Sequence, residues 1–332
     1  MIRRRTITLS RSLALLVVLA CMPLAPWAAR AQDENPWLER RVLNMAHRGG
    51  RAEAPEHTLY AYKVALPKLV TLLEVDVHLS ADGVLVVHHD ATVDRVTNGT
   101  GPISSFTLAE LKALDNAYWY ASVCGGRCTG QPPEDYDFRG VATGDAPPPA
   151  GFEATDFQIM TMREVLDAFP RVLLSIEIKG SAPDSVPAAE QLGDLLTEFG
   201  RETDVMIASF DDPTTAAFKA HTPNVHTTPG LDETLAFVGA PGPLPAHRAF
   251  QVPRTFDTIF VPPLIIDPAH ANDLAVYFFI DPGEENETVY NELIDAGAEG
   301  IITDRPSDLQ TVLDQRGDAY KYKQLMPTKV AL

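Results

Sequence analysis

The amino-acid sequence predicts an α/β fold of the (β/α)₈ TIM-barrel type, and three observations support that prediction. Eight short apolar runs begin near residues 42, 72, 172, 204, 225, 256, 276 and 300. Segments with helical periodicity separate most of these runs, as parallel strands joined by crossover helices require. Carboxylates, histidines and cationic residues collect where the first runs end, and that end of a barrel carries active sites.

The first strand–helix–strand unit covers residues 41–79. The run RVLNMAH ends at His47 and Arg48, and the two glycines that follow allow a sharp exit from the strand. A helix is predicted to begin around residues 54–58, with Pro55 near its first position, and to extend to about Ala65. The second strand, residues 72–79, follows it.

The apolar run at residues 84–88 is predicted to be a hairpin return and not a barrel strand. Only four residues separate Leu79 from Val84, whereas a parallel crossover needs about a dozen or more. This excursion after strand 2 would carry His89 over the end of that strand.

A long irregular stretch, residues 115–157, precedes the third barrel strand. A loop of this length inside a compact domain is uncommon unless it is functional. We therefore predict a cap-like insertion, with a passive surface loop as the alternative. Its Cys124 and Cys128 are predicted to form a disulfide in an oxidising compartment, two free thiols being the other interpretation. The remaining strands and helices complete one domain over residues 32–332, in which no repeat or linker is found.

Residues 1–31 have the pattern of a signal peptide. Four arginines precede an apolar core at residues 13–20, and Ala29-Arg30-Ala31 is a small-x-small cleavage signal before Gln32. A membrane helix is less favoured because the apolar part is short and contains two prolines. A lipoprotein attached through Cys21 and twin-arginine export through Arg3-Arg4 stay open. We expect an exported protein, periplasmic or secreted, without a stable membrane anchor after cleavage.

The charge of the chain excludes some classes of partner. The formal net charge is −18, and removal of residues 1–31, which hold five arginines and no acid, would leave −23. Such a chain does not favour nucleic acid and is repelled by anionic membranes at long range. A phosphorylated substrate would therefore need a local cationic site. The oligomeric state is not indicated.

Three carboxylates are predicted to meet at the mouth of the barrel. Glu74 and Asp76 are two residues apart on one strand, so their side chains point the same way. Glu177 ends the next barrel strand. Carboxylate oxygens without cysteine favour one divalent cation, Ca²⁺ or Mg²⁺, over zinc.

Basic residues surround this predicted metal site. Two histidines, His47 and His89, fit general acid–base catalysis. Arg48 and Lys179 provide the positive charge that a phosphate needs, although they could instead pair with the site's own carboxylates. Glu56 is a candidate supporting residue or simply favours a helix N-terminus.

Taken in order, these motifs resemble the glycerophosphodiester phosphodiesterase family. The likeness consists of His-Arg-Gly, Pro-Glu-x-Thr, Glu-x-Asp, Asp-Gly followed by His-Asp, Glu-x-Lys, Ser209-Phe210-Asp211 and the final Gly-Ile-Ile-Thr-Asp at 300–304. The chain departs from the family at His57, where Asn is usual, and at residues 278–281, where Trp-Thr-x-Asn is usual.

The resemblance implies a TIM barrel with metal ligands Glu74, Asp76 and Glu177, a catalytic pair His47 and His89, and phosphate contacts from Arg48 and Lys179. It also implies hydrolysis of glycerophosphodiesters to sn-glycerol 3-phosphate and an alcohol. A phospholipase D-type enzyme acting on lysophospholipids is the nearest alternative. A non-catalytic exported binding protein is a more distant one.

Overall fold

Eight parallel strands form a nearly closed barrel in the structure, a computed structural model that describes residues 34–320. Strand β1 pairs with β2 and with β8, and the hydrogen-bonded order is β5-β4-β3-β2-β1-β8-β7-β6. Beside the open edge, the amide of Arg248 donates to the Thr227 carbonyl at 3.0 Å. The predicted TIM barrel is therefore confirmed. The barrel strands are β1 Leu43–Ala46, β2 Leu72–Leu79, β3 Leu173–Ile178, β4 Val205–Ala208, β5 His226–Thr227, β6 Ala249–Pro253, β7 Ala275–Phe279 and β8 Gly300–Thr303.

Ten α-helices accompany the strands in the described part of the chain, and all but the first follow β1 in sequence. Thr107 and Thr161 each form a capping box at a helix start, which satisfies free backbone amides there. The helices are α1 Pro36–Glu39, α2 Leu59–Ala65, α3 Leu108–Lys112, α4 Met162–Ala168, α5 Val186–Phe199, α6 Asp212–His221, α7 Leu231–Gly239, α8 Pro262–His270, α9 Glu287–Ala296 and α10 Pro306–Arg316.

Successive side chains of β2 point alternately out of the barrel, toward the helices, and into the barrel, toward the site. Leu73, Val75 and Val77 belong to a buried apolar cluster that also includes helix residues. Leu72 points the other way, into a cluster inside the barrel that is closed by Trp37. Glu74 and Asp76 continue the inward series toward the strand's end, so the same period of two places their carboxylates above an apolar floor.

The predicted hairpin is present. Residues Leu85–Val87 pair antiparallel with the last part of β2, with Val77 opposite Val87. The segment then leads directly into His88 and His89.

Two predicted element positions were wrong. The sixth barrel strand is Ala249–Pro253 and not the run at 256–261, whose Thr255–Phe256 and Ile259–Phe260 form a separate two-stranded hairpin. Both runs are short and apolar, and only pairing with β7 distinguishes them. The helix expected from about residue 54 begins at Leu59, because the Thr58 side chain caps it by accepting from the amide of Ala61.

The insertion at 115–157 has a small core of its own against α2. Phe157 is fully buried and stacks on Tyr60 of α2, with ring centroids 4.6 Å apart. The Arg139 guanidinium lies over the rings of Tyr118, Trp119 and Tyr136. Cys124 and Cys128 are placed as a disulfide with Cα atoms 6.3 Å apart.

The predicted signal peptide lies outside the described residues. Among residues 34–320, no helix is long and apolar enough to cross a membrane.

Candidate active site

Adjacent strands bring the predicted carboxylates together. In the parallel pairing of β2 with β3, Asp76 is opposite Glu177 and Glu74 is opposite Ser175. Side chains opposite each other in a parallel ladder share a face, so all four point into the barrel. Glu74 and Asp76 are buried.

The surroundings of Glu74 disfavour the charged form of its carboxylate. Its Oε2 accepts a hydrogen bond from the backbone amide of Arg48 at 2.9 Å. Burial, and then the negative charge of Asp76, raise the pKa of Glu74 well above its usual value. A cation between these carboxylates would remove that penalty.

Lys179 bridges Asp76 and Glu177. Its Nζ lies 2.8 Å from Asp76 Oδ1 and 2.7 Å from Glu177 Oε1. Burial and the charge of Asp76 nevertheless raise the pKa of Glu177 to about 7. Asp76 Oδ1 is buried with no well-oriented hydrogen-bond donor, so the ion pair with Lys179 is its close contact.

His57 supports Asp76 from behind. Its Nε2 lies 2.8 Å from Asp76 Oδ2 and its Nδ1 lies 2.9 Å from the Tyr62 hydroxyl. Burial lowers the pKa of His57 to about 4, so the ring is neutral at pH 7 and carries one proton. A carboxylate only accepts, which places that proton on Nε2, donating to Asp76. The Tyr62 hydroxyl has one proton, which is shared between Nδ1 and the Glu74 backbone carbonyl at 3.1 Å.

The buried residues fit a divalent cation. His57, Glu74 and Asp76 could hold an ion, because one ligand atom from each lies within 4.8 Å of the other two. The poorly satisfied Asp76 Oδ1 and the repulsion between the carboxylates both favour a cation there. In the tautomer above, however, Nε2 of His57 donates to Asp76 and is not free for an ion. Glu177, the third predicted ligand, is beside this group and stays a prediction.

His47 follows β1 and is oriented by the last strand. Its Nδ1 lies 2.6 Å from Asp304 Oδ1, and Arg51 Nε lies 2.8 Å from the same oxygen. Burial alone would raise the pKa of Asp304, but His47 and Arg51 lower it to about 2. Because Asp304 is an acceptor, His47 carries its proton on Nδ1 and presents Nε2.

His89 has the same arrangement on the hairpin. Its Nδ1 lies 2.5 Å from Asp90 Oδ1, and Arg95 Nε contacts Asp90 Oδ2 at 2.6 Å. Its Nε2 is therefore also the nitrogen left for proton transfer. Each predicted catalytic histidine thus has a carboxylate on Nδ1 and an arginine on that carboxylate.

Arg48 is buried in a left-handed backbone conformation, with φ of 53°. That conformation costs about 1 kcal/mol or more for a residue with a Cβ. The Glu74 contact of its amide and the bond that its carbonyl accepts from the His57 amide, at 2.9 Å, hold it there. Its guanidinium contacts Glu56 at 3.2 Å and lies 3.6 Å from Asp76 Oδ2. Arg48, like Lys179, therefore pairs with carboxylates, and its contact with a phosphate stays a prediction.

Glu56 joins two arginines. Besides Arg48, it accepts two hydrogen bonds from Arg95 at 2.6 and 2.7 Å. Glu56 precedes α2 by three residues, and its side-chain contacts are with these two arginines. Its supporting role in the site stays a prediction.

A cavity of about 670 Å³ opens above the carboxylates. His47, Arg48, His89, Glu177 and Lys179 all line it. The insertion contributes none of the residues that line it, but it supports the site from outside, where Asn116 Nδ2 donates to the His57 carbonyl at 3.1 Å.

Sequence reasoning missed four residues that organise the histidines: Arg51, Asp90, Arg95 and Asp304. Asp90 and Asp304 were visible as the ends of the His-Asp and Gly-Ile-Ile-Thr-Asp motifs. Arg51 and Arg95 had no such signal: Arg51 pairs with Asp304 after the last strand, and Arg95, although only five residues from Asp90, belongs to none of the motifs.

Known proteins give an independent comparison. The sequence profile described as "Glycerophosphoryl diester phosphodiesterase family" matches residues 47–308. A glycerophosphodiester phosphodiesterase of Caldanaerobacter subterraneus is 29% identical over 286 residues, which cover 83% of this chain and 100% of that protein. One from Bacillus subtilis is 26% identical over 273 residues, with 80% and 84% covered.

A solved structure agrees with the fold. An Oleispira antarctica phosphodiesterase in complex with the product sn-glycerol-3-phosphate superimposes with a TM-score of 0.62. The alignment covers 82% of this chain and 96% of that one, at 22% identity.

Proposed function

Since this chain belongs to the glycerophosphoryl diester phosphodiesterase family, we propose that it hydrolyses glycerophosphodiesters to sn-glycerol 3-phosphate and an alcohol. The observation that carries the proposal is the pair of carboxylate-oriented histidines, His47 and His89, at one cavity with the buried carboxylates. The names of the relatives and the product bound to the Oleispira phosphodiesterase support the same substrate class.

The reaction depends on one divalent cation held by Glu74, Asp76 and Glu177, either Ca²⁺ or Mg²⁺. His57 fixes Asp76 by donating to Oδ2, so the ion would take Oδ1 in place of the contact that this oxygen makes with Lys179 Nζ at 2.8 Å. When bound, the cation supplies charge stabilisation for the phosphoryl oxygens. Arg48 and Lys179 line the cavity and would contact the phosphate from there while they keep the carboxylates in place.

Each of the two histidines makes one of the two proton transfers. One of them, neutral at Nε2, takes the proton of the attacking hydroxyl as its oxygen forms a bond to phosphorus. The hydroxyl belongs to water or to the substrate's own glycerol; in the second case a cyclic phosphate forms, which water then opens to give sn-glycerol 3-phosphate. The other, protonated at Nε2, gives its proton to the departing alcohol oxygen as the phosphorus–oxygen bond breaks. Asp304 and Asp90 hold the rings and stabilise the imidazolium forms.

The test is a panel of glycerophosphodiesters assayed after chelation and again after addition of Ca²⁺ or Mg²⁺. We expect turnover only with the ion restored, and losses of about 10²-fold or more in both His47→Ala and His89→Ala. His221→Ala, which removes a surface histidine paired with Asp194, is the control. Near-normal turnover in either site variant would refute the two-histidine mechanism. No turnover of any diester would refute the function.

We also propose that the protein is exported after cleavage between Ala31 and Gln32, and that Cys124 and Cys128 are oxidised. The leader pattern and the spacing of the cysteines support this. Mass spectrometry of the exported protein, with and without reduction, should give an N-terminus at Gln32 and one disulfide. An unprocessed N-terminus or a lipid on Cys21 would contradict it.

A further inference from the structure

The five residues from Cys124 to Cys128 form what we call the disulfide loop. A short antiparallel ribbon at its base places Ala121 opposite Gly126, and the amide of Cys128 donates to the Trp119 carbonyl at 3.0 Å. Ala121 and Gly126 are buried, so this side of the loop faces the barrel and not the solvent. The disulfide loop is therefore fixed at its base and packs against the residues below it.

Gly126 packs on the backbone behind His47. Its φ of 129° lies in the left-handed region, and a Cβ built on it would lie 2.8 Å from the carbonyl oxygen of Arg51. The close approach therefore requires glycine. The guanidinium of Arg51 contacts Asp304, the carboxylate that orients His47. The disulfide loop thus acts on His47 through Arg51 and Asp304.

Arg127 makes the corresponding contact behind His89. Its Nε donates to the backbone carbonyl of Arg95 at 2.9 Å. Arg95 in turn contacts Asp90, the carboxylate on Nδ1 of His89. Two neighbouring residues of the disulfide loop therefore contact the backbone of two arginines, and each arginine is one carboxylate away from a different histidine.

The space between the loop and the two arginines is nearly filled. A cavity of about 10 Å³ lies there, which is room for about one water molecule. Its lining includes Arg51 and Glu56 from the site and Asn116, Tyr120 and Arg127 from the insertion. Because so little space is left, a shift of the loop must displace the residues that it packs on.

We propose that Gly126 and Arg127 are positioning residues for both histidines of the reaction. The disulfide loop holds the backbone of Arg51 and Arg95, and these arginines hold the carboxylates that fix the two rings. The inference rests on the proposed function and adds to it two residues outside the active-site cavity. If the loop only covered the barrel, changes in it would alter stability and leave the pH–rate profile unchanged.

The first test compares Gly126→Ala with Gly130→Ala, with glycerophosphocholine as substrate and Ca²⁺ or Mg²⁺ present. Both glycines have a positive φ, but a Cβ at Gly130 would meet open space, so this variant controls for backbone strain. Gly126→Ala should lower kcat at least about tenfold with less effect on KM, because a small misplacement of a catalytic group costs much of the rate. Gly130→Ala should keep the wild-type kcat.

The pH–rate profile of Gly126→Ala should also change. Burial and the charges of Arg48 and Arg51 lower the pKa of His47, whereas Asp304 raises it. When Arg51 moves away from Asp304, the pKa of His47 should rise, so the limb of the profile set by His47 moves to higher pH. A smaller folded fraction alone would lower the apparent kcat without this shift, which separates positioning from stability.

The second test uses Arg127, whose side chain is exposed, so its substitution should not prevent folding. Arg127→Met removes the donor and should lower kcat about fivefold, which is the order of magnitude that one hydrogen bond contributes. Arg127→Lys keeps a donor at the end of the side chain and should recover most of the loss. Arg163→Met removes an exposed cation paired with Glu198 and is the control.

Wild-type kcat and an unaltered profile in Gly126→Ala, together with wild-type kcat in Arg127→Met, overturn the inference and leave the proposed function intact. A loss in Gly130→Ala as large as that in Gly126→Ala would make the effect a general loosening of the insertion and also overturns it. Absence of turnover of every diester by the wild-type protein refutes both.

Discussion

At the scale of single residues, Asp304 controls the tautomer and the charge of His47. Burial and then the charge of Arg48 lower the pKa of His47, whereas Asp304 raises it. Asp304→Asn should lower kcat at least about tenfold with less effect on KM, because the ring loses its fixed orientation. It should also lower the pKa of His47 further, so the limb of the pH–rate profile set by His47 moves to lower pH.

Asp194→Asn makes the same chemical change on the exposed surface of α5 and is the matched control. Steady-state kinetics across the pH range separate the two effects. An unaltered profile in Asp304→Asn would mean that His47 does not titrate in the reaction.

Glu56 is a buried residue whose loss should lower stability. It is buried between Arg48 and Arg95, and removal of one partner of a buried ion pair costs about 3 kcal/mol. Glu56→Gln should lower the free energy of unfolding by about that amount, as measured by urea denaturation. Glu198→Gln breaks an exposed pair with Arg163 and should change little.

The stabilisation that Glu56 provides should decrease as the pH falls. The pKa of Glu56 is well below its usual value of 4.5, since its arginine partners outweigh burial. Its stabilisation is therefore full above pH 4.5 and is lost as pH falls through the folded-state pKa. The difference between wild type and Glu56→Gln should shrink in acid, and a constant difference would contradict the ion-pair account.

At the scale of elements, the sequence predicts those structural features that depend on residues close together in the chain. The four-residue turn at 80–83 is too short for a crossover, so the hairpin could be predicted from the sequence. The period of two on β2 likewise predicts that Glu74 and Asp76 face inward. The sixth strand could not be located, because the hairpin run and Ala249–Pro253 have similar composition and differ only in their partner, β7. For the same reason the contacts of Arg95 with Glu56 and of Asp304 with His47 could not be predicted, because each joins two elements, although Asp304 itself ends a motif.

We expect the order of the insertion to depend on Arg139, whose guanidinium lies over three of its aromatic rings. Its guanidinium lies 4.1 Å from the Tyr118 ring centroid and 3.5 Å from that of Tyr136, and such contacts contribute about 1–2 kcal/mol together. Arg139→Met should speed amide hydrogen exchange in residues 118–145 about tenfold, because local opening becomes easier. Arg163→Met removes an exposed cation from the Phe199 ring and should leave that segment unchanged. Unaltered exchange in Arg139→Met would show that the apolar contacts alone order the insertion.

At the scale of the whole molecule, the arrangement of charge connects folding with the proposed chemistry. An acidic chain places inward carboxylates on two adjacent strands of one barrel and holds them with Lys179, Arg48 and a neutral His57. Folding thereby brings together groups that repel each other, and a cation that binds only the folded site should stabilise the entire barrel.

Thermal unfolding of the chelated protein should therefore respond to Ca²⁺ or Mg²⁺. At an ion concentration about 100 times Kd, linkage gives about 2.7 kcal/mol, which corresponds to a rise of about 5 °C in Tm for a domain of this size. Glu74→Gln and Asp76→Asn should abolish the rise, and Glu177→Gln should reduce it if Glu177 is the third ligand. Glu198→Gln, on the exposed surface, should retain it. A rise of equal size in Glu74→Gln would place the ion on the acidic surface and not at the barrel mouth. A full rise in Glu177→Gln would limit the ligands to the group around Glu74 and Asp76.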